Sequence, residues 1–431
     1  MEERWSTEHV LSLAPDAASL KAAGKLSGPA PWSGAGWGQG ALWGECRGSG
    51  STPYRTVVEL GGPAYQCSCP SRKFPCKHAL GLLLLWSGSP EAVPGGTVPP
   101  EWAAAWLAGR QKRAQKVSAP AAADPVAAAR RAERRSARVA AGAQELCLRL
   151  ADRIRQGLAD PAAASAGWDQ VAARMVDAQA PGLAARAREL GSAGQESLLA
   201  EYALLHLLAA AYQRVGELPE PLAATVRARV GFTTDTAELL AGPTVRDQWL
   251  VLGRRDNADA NLTTRRVWLH GTKTGRSALL LAFGRPGQAP DLPLPTGQLL
   301  EAELAFHPSA RPLRAVIGAR YGTPGTARTL PSGLSPTAGL AAYGEAVADD
   351  PWVESWPVVL AGVVPVPGRP DWYLTDGQHA LPIRDTGEDA RWRLAAVSGG
   401  RPVTVFGECG HRGFTPVTVW DESGKATGVS G

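Results

Sequence analysis

Residues 41–69 alternate between apolar and polar positions with the period of β-strands. Three short strand patterns occur there, ALWGEC, YRTVVEL and AYQCSC, separated by the turn sequences GSGSTP and GGP. The segment CKHALGLLLLW that follows has the length and apolar content of a short buried helix. These patterns predict a β-β-β-α unit over residues 41–86. Residues 1–40 are predicted to form a short helix, PDAASLKAA, and then a loop rich in Gly, Pro and Trp.

Residues 139–244 instead show the three- and four-residue spacing of amphipathic helices. An apolar stripe formed by Val139, Ala143, Leu146, Leu150, Ile154 and Leu158 belongs to a long helix that is predicted to begin near Asp124. Four more helical segments follow, so we expect an antiparallel helical domain. Residues 87–138, rich in Pro, Gly and Ala and then in Arg, are predicted to be a linker with a basic helix.

Hairpin patterns occupy the rest of the chain, residues 245–431. Examples are RVWLHGTKTGRSALLLAF, DWYLTDGQHALPI and TVFGECGHRGFTPVTVW. They predict one or two small antiparallel barrels or sandwiches. The expected fold class is therefore α+β and multidomain, with an N-terminal β-β-β-α module, a central antiparallel helical domain and a C-terminal antiparallel β region.

The composition is that of a folded chain without membrane-spanning segments. Of 431 residues, 44% are hydrophobic and 20% are charged. The longest apolar run, from Ala79 to Trp86, is far shorter than the ~20 residues that cross a bilayer, so we expect no membrane association. The start, MEERWSTEHV, lacks the order of a secretory signal. We therefore expect a reducing cytoplasm, where the six cysteines need not form disulfides.

The net charge of +5 is concentrated in one segment. Residues 110–138 carry nine basic and two acidic side chains, whereas residues 1–109 carry eight of each. The basic segment is a candidate phosphate-contacting arm, with Arg130, Arg131, Arg134 and Arg135 as its contacts. We favour the simpler interpretation of a solvated helix face, because no aromatic residue lies in the segment to stack on bases.

The most specific chemical signal is Cys67-Ser-Cys69, six intervening residues, and then Cys76-Lys-His78. Zinc takes four thiolate or imidazole ligands tetrahedrally, usually as two pairs. Strand residues two apart point to one face, and the second pair lies at the start of the predicted helix. A disulfide is the alternative, but neighbouring cysteines are poorly placed to bridge each other. Because four protein ligands fill the shell, we expect one structural zinc ion.

Three basic residues accompany these ligands: Arg72, Lys73 and Lys77. Their charge favours the thiolate form that binds metal. They are also the finger's candidate contacts to nucleic acid or to a protein partner.

The segment CSCPSRKFPCKHALGLLLL resembles the SWIM zinc finger, whose pattern is Cys-x-Cys, a variable spacer and Cys-x-His. The resemblance covers residues 41–86, and WDQVAARMVDAQAPGLA at residues 168–184 is similar to the full-length bacterial proteins of this family. It implies zinc binding through all four ligands and a role in binding DNA, proteins or peptides. Such bacterial proteins are often encoded near MoxR-type AAA+ ATPases and von Willebrand A-domain proteins, which are therefore the expected partners.

No phosphate-binding loop, zinc-protease motif or nucleophile elbow occurs in the chain, so we expect no enzyme. The favoured hypothesis is a zinc-binding recognition or adaptor protein whose finger mediates protein–protein contacts. Residues 1–109 carry no net charge, which favours a protein over a nucleic acid as the ligand of the finger. The alternative is a DNA- or RNA-binding protein that uses the basic finger loop and the 110–138 arm.

Two further cysteines are weaker metal candidates. Cys46 lies on the first predicted strand, within reach of the four ligands, and we interpret it as a packing residue. Cys409-Gly-His411 repeats the Cys-x-His spacing, but no second pair accompanies it.

Overall fold

The computed structural model describes residues 4–14, 17–48, 50–60, 64–71, 73, 75–118, 125–160, 166–258, 262–285, 290, 292–327, 331–368, 371–384 and 387–429. These residues form an N-terminal α+β module, a helical bundle and two β-barrels. The expected mixed, multidomain fold class is confirmed. None of the described helices combines the length and apolar character needed to cross a membrane.

The N-terminal module is built on a four-stranded antiparallel sheet in sequential order. Its strands are β1 (Trp32–Gly38), β2 (Ala41–Cys46), β3 (Tyr54–Glu59) and β4 (Ala64–Cys67). The prediction of a loop before residue 41 is wrong, because β1 pairs with β2. A bulge between Ser33 and Gly36, where Gly34 takes a φ of +57°, breaks the apolar alternation by which a strand is recognised.

Helices cover both faces of this sheet. They are α1 (Thr7–Ser12), α2 (Ala17–Gly24), α3 (Lys77–Gly88) and α4 (Glu101–Ser118). The apolar α3 lies on one face and packs so closely on the end of α2 that a Cβ at Gly81 would come within 2.6 Å of the Leu26 Cβ. Helix α4, in the segment predicted as linker, buries Ala103 against Trp43 on the other face.

The central region is a bundle of antiparallel helices. They are α5 (Pro125–Gln156), α6 (Trp168–Asp177), α7 (Pro181–Leu190), α8 (Gln195–Gln213) and α9 (Glu220–Val230), followed by the short α10 (Thr236–Ala241). The predicted stripe of α5 is fully buried from Val139 to Leu150. Of the last two predicted positions, Ile154 in the last turn is 42% exposed, whereas Leu158, just beyond the end of the helix, packs against the core. Trp168 packs edge-on against Tyr202 at the centre of the core and donates its indole N–H to the Tyr202 hydroxyl at 3.1 Å.

The first barrel has five strands. They are β5 (Val245–Ala258), β6 (Thr263–Gly271), β7 (Ser277–Gly284), β8 (Gln298–Phe306) and β9 (Ala315–Thr326). The order is β7-β6-β5-β8-β9, so the first strand pairs with the second and the fourth. Leu279 of β7 closes the barrel by donating its N–H to the Leu313 carbonyl at 2.7 Å, beside a parallel bridge to Arg314.

The second barrel repeats this connectivity. After α11 (Pro336–Asp349) come β10 (Ser355–Val366), β11 (Trp372–Thr375), β12 (Ala380–Ile383), α12 (Glu388–Ser398), β13 (Val403–Gly410), β14 (Gly413–Trp420) and β15 (Ala426–Gly428). Strand β10 pairs with β11 and β13, and β12 closes in parallel on β14 through Ile383 and Phe414. Both barrels thus have the Greek-key strand order of an OB-fold barrel. The expectation of barrels in the C-terminal region is confirmed.

The two barrels pack directly on each other. Trp268 on the outer face of β6 lies 5.8 Å from Phe406 of β13, measured between ring centroids. Around this pair, Leu250, Leu252, Val417 and Trp420 are buried in one apolar cluster. A Cβ at Gly253 would lie 2.7 Å from Val417, so only glycine fits at this contact. The barrels therefore form a tightly packed pair.

Candidate metal centre

The four predicted ligands come together where β4 and α3 meet. Cys67 is the last residue of β4, and Cys69 lies in the bend that follows. Cys76 is the N-cap of α3, with extended backbone (φ −73°, ψ 168°), and His78 is its second residue. The four ligand atoms lie within 4.8 Å of one another, and the Cys67 Sγ is 3.6 Å from the His78 Nδ1. The sequence spacing thus predicted the cluster correctly.

The chemistry of this donor set fits one zinc ion. All three thiols are free of disulfides, and three sulfurs with one imidazole form a common tetrahedral zinc shell. Cys76 and His78 are buried, whereas Cys67 and Cys69 are half-buried. Because protein side chains supply all four ligands, a bound zinc ion would cross-link the strand and the helix and leave no position for a catalytic water.

Hydrogen bonds within the cluster already favour a thiolate. Donation from the Cys76 thiol lowers the pKa of Cys67 far below that of an ordinary cysteine, and His78 and Thr56 add to the effect. The same hydrogen bond raises the pKa of Cys76, which holds the shared proton, and burial adds to this. Burial also raises the pKa of Cys69. Metal binding would displace the remaining protons, because zinc takes the thiolate.

Two residues outside the Cys/His pattern support the ligands. Thr56 of β3 lies opposite Cys67 in the sheet, and its Oγ1 is 3.3 Å from the Cys67 Sγ. The ring of Tyr54, two positions earlier, packs on the His78 imidazole with centroids 4.7 Å apart. Such partners orient metal ligands. The sequence analysis missed both, and the only signal for them is that they occupy alternate positions on the strand paired with β4.

A recess of about 420 Å³ adjoins the metal site. Lys73 and Lys77, both exposed, line it together with Tyr54, Pro70 and His78. Two of the three predicted basic contacts of the finger thus meet at one place. Arg72 lies outside the described residues.

The predicted contacts of the basic arm divide into two groups on α5. Arg130, Arg131 and Arg134 are exposed. Arg135 instead turns inward, where it donates to the Gly231 carbonyl at 2.9 Å and lies over the Phe232 ring at 4.3 Å. Arg135 therefore holds α5 against the end of α9.

The other cysteines do not belong to this group of ligands, although Cys46 lies close enough to interact electrostatically with Cys67 and Cys69. Cys46 is fully buried, and its Sγ contacts the Arg47 carbonyl at 3.8 Å. Cys409 is buried in the core of the second barrel, where burial raises its pKa to about 11. His411, two residues later, is exposed in the turn between β13 and β14.

Comparison with protein families agrees with this geometry. Residues 54–86 match the SWIM zinc finger, and residues 134–230 match the SWIM-associated four-helix bundle domain. Neither a search of curated proteins nor a search of solved structures found a match. The first match contains all four metal ligands, and the second covers α6 to α9 and most of α5. The chain carries a SWIM zinc finger, positioned to bind one zinc ion, together with the helical bundle domain that accompanies such fingers.

Proposed function

We propose that the protein is a non-enzymatic adaptor of the reducing cytoplasm whose zinc-loaded finger recognises a partner protein. The recess beside the metal site carries this proposal. Its walls come from the loop that follows Cys69, from the first turn of α3 and from α2. Zinc ligation would fix the first two walls relative to each other, so the shape of the recess depends on the metal.

The lining of the recess indicates what kind of segment it recognises. Ala18, Ala22, Pro70 and Tyr54 provide apolar surface, and the ammonium groups of Lys73 and Lys77 lie at the exposed side. An apolar side chain flanked by acidic residues complements this arrangement. We therefore propose an acidic, partly apolar segment of a partner protein as the ligand. The expected partners are a MoxR-type AAA+ ATPase or a von Willebrand A-domain protein.

A pull-down of such candidate partners by the full-length, zinc-loaded protein tests the proposal. Cys76→Ser removes a zinc ligand, and Lys77→Glu reverses one charge of the recess. We expect both variants to lose at least tenfold in partner affinity. Lys425→Glu, an exposed lysine far along the chain, is the matched control and should bind normally. Unchanged binding by Lys77→Glu would contradict recognition through the recess.

Nucleic acid is a second candidate ligand, supported by one observation on α5. Arg130 and Arg131 are exposed side by side, and Arg134 follows one turn later. Within the described part of the chain, none of the three forms an ion pair with a carboxylate. Three neutralised phosphates would give log K a salt slope of about −2 to −3.

Fluorescence anisotropy with labelled DNA and RNA at several salt concentrations decides this second candidate. If the arm binds phosphates, the triple variant Arg130→Gln/Arg131→Gln/Arg134→Gln should flatten the slope by about two to three. Absence of binding at low salt would eliminate the nucleic-acid hypothesis and leave the protein-recognition hypothesis untouched.

A further inference from the structure

A cleft lies where the helical bundle meets the two barrels. It consists of two adjoining cavities of about 850 Å³ and 530 Å³. Arg186 of α7, Glu201 of α8, Glu354 and the turn residues His411 and Arg412 line both of them. The two cavities are therefore the halves of one cleft, which is distant in sequence from the zinc ligands.

The smaller half is rich in arginine. Arg255 at the end of β5, Arg384 after β12 and Arg412 between β13 and β14 all line it. No carboxylate among the described residues forms an ion pair with any of these three. The nearest partner of Arg412 is its neighbour His411, to which its Nε donates at 3.2 Å.

Three of the four acidic residues of this half are engaged in ion pairs or hydrogen bonds, and the fourth, Glu201, interacts electrostatically with Arg186. Glu189 and Glu354 pair with Arg186 at 3.2 Å and 2.6 Å, respectively. Glu408 accepts a hydrogen bond from Ser355 at 3.1 Å and faces Arg266 at 3.8 Å. The charges of Arg255, Arg384 and Arg412 are therefore left to attract an anion. They come from both barrels and converge on one cavity.

The larger half of the cleft is mainly apolar. Its lining includes Leu190, Leu204, Leu205, Leu208, Tyr343, Val347, Trp352 and Val353. Trp352 is held in place by donating its Nε1–H to the Leu204 carbonyl at 2.9 Å. Exposed Ala200 and half-buried Ser197 of α8 lie at the margin, and Ser197 also lines the arginine-rich half. An apolar chamber thus opens directly into a cationic one.

We propose that this cleft binds a small amphiphilic organic anion, whose carboxylate or phosphate group lies among the three arginines and whose apolar body fills the larger chamber. The guanidinium group is suited to both oxyanions, because its planar fork donates two parallel hydrogen bonds. Each of the two cavities has the volume of a small-molecule site, and the polar groups of the smaller one would fix the orientation of the ligand. Such binding adds a small-molecule site to a chain whose zinc finger serves macromolecular recognition.

Isothermal titration calorimetry of the full-length protein with three probes tests this site. Octyl phosphate carries both parts of the ligand, inorganic phosphate only the anion, and octyl glucoside only the apolar chain. We expect octyl phosphate to bind at least tenfold more tightly than either of the others. Tighter or equal binding of inorganic phosphate would overturn the role of the apolar chamber. Equal binding of octyl glucoside would overturn the role of the arginines.

Two variants locate the binding. Arg384→Gln/Arg412→Gln changes only exposed side chains and should weaken octyl phosphate at least tenfold, while Arg401→Gln, an arginine paired with Glu422 outside the cleft, should not. Ala200→Trp adds an indole ring at the margin of the apolar chamber and should weaken the binding of octyl phosphate but not that of inorganic phosphate. Unaltered circular dichroism shows that each variant is folded. Equal affinity in the wild type, the double variant and the control would place any binding elsewhere and overturn the proposal.

Discussion

The guanidinium group of Arg229 lies 2.6 Å from the carboxylate of Asp350, and this ion pair links the last long helix of the bundle to the chain that enters the second barrel. Asp350 is buried, and its other oxygen accepts the Trp352 N–H at 3.0 Å. The indole N–H of Trp352 in turn donates to the carbonyl of Leu204 in α8. One short segment therefore attaches the barrels to two helices of the bundle and lines the larger cavity of the cleft between them.

Replacing Asp350 by Asn should loosen this attachment. The change leaves a partly buried guanidinium without its counter-charge, which we expect to cost about 1–3 kcal/mol of unfolding free energy after allowance for solvent screening at Arg229. Urea denaturation measures the loss. The matched control is Glu422→Gln, which removes an exposed partner of Arg401 and should cost under about 0.5 kcal/mol. Equal losses in the two variants would show that the buried pair has no special role.

Zinc content should depend on the four ligands and on no other cysteine. Cys67→Ser is expected to lose stoichiometric zinc, because a serine hydroxyl does not replace a thiolate at this site. Cys147→Ser changes a half-buried thiol of the bundle and should retain the metal. Elemental analysis of the two purified proteins decides the matter. Full zinc occupancy in Cys67→Ser would contradict the assigned ligand set.

Chelation should unfold the finger, residues 41–86, and spare the helical bundle. A structural zinc contributes on the order of 10 kcal/mol to folding, whereas the bundle is held by its own apolar core. Hydrogen exchange read by mass spectrometry compares the two regions in one full-length molecule. Protection should fall in β4 and the first turn of α3 and persist in α8. Unchanged protection of both regions after zinc removal would show that the fold does not need the metal.

Acid should weaken the first barrel through Asp247. This buried carboxylate accepts hydrogen bonds from the N–H groups of Gln248 and Thr274 and from the Thr274 hydroxyl at 2.6–2.9 Å. These bonds outweigh the opposing effect of burial and lower its pKa. The ionised Asp247 side chain therefore contributes fully to the stability of the fold above its pKa in the unfolded chain, about 3.9. This contribution is lost as the pH falls through the lower pKa that Asp247 has in the folded protein.

Asp247→Asn should remove this part of the acid sensitivity and cost roughly 1–3 kcal/mol at neutral pH. Urea unfolding at pH 7 and at pH 3 measures both effects. We expect the difference in unfolding free energy between the variant and the wild type to be smaller at pH 3 than at pH 7. A constant gap would show that ionisation of Asp247 does not contribute.

Two glycine-to-alanine changes should shift stability in opposite directions. A Cβ at Gly182 would overlap the Arg229 carbonyl oxygen, so Gly182→Ala must push α7 and α9 apart at a cost of about 1–3 kcal/mol. Gly344 lies in the exposed face of α11 with open space around it, so Gly344→Ala should gain about 0.5–1 kcal/mol. Thermal denaturation, monitored by circular dichroism, measures the stability of both variants. A neutral Gly182→Ala would mean that the two helices separate without cost.

The metal centre could be predicted from sequence because its geometry is local. Cys67 and Cys69 are two residues apart, Cys76 and His78 are two residues apart, and one loop joins the pairs. The helices of the bundle were predicted for a similar reason, since an apolar stripe such as that from Val139 to Leu150 reflects the helical period itself.

Features that depend on distant contacts escaped prediction. The sequence of strand β1 predicts a loop because glycine residues and a bulge interrupt the alternation of apolar and polar residues. Only its pairing with β2 makes this segment a strand. Arg186 lies in α7, Arg255 in β5 and Arg384 just after β12, so no sequence spacing marks the cleft that they line. The barrels share a connectivity without a sequence repeat, because strand order is set by which edges meet and not by residue identity.

The packing of Trp268 against Phe406 limits how the first barrel can meet other molecules. Barrels of this strand order commonly bind oligonucleotides or oligosaccharides on the outer face of their second and third strands. In this chain the equivalent surface includes Trp268 and Leu279, which the neighbouring barrel already covers. An extended polymer would have to displace the second barrel before it could bind along this face of the first barrel. The tandem arrangement therefore closes this strand surface of the first barrel to such polymers.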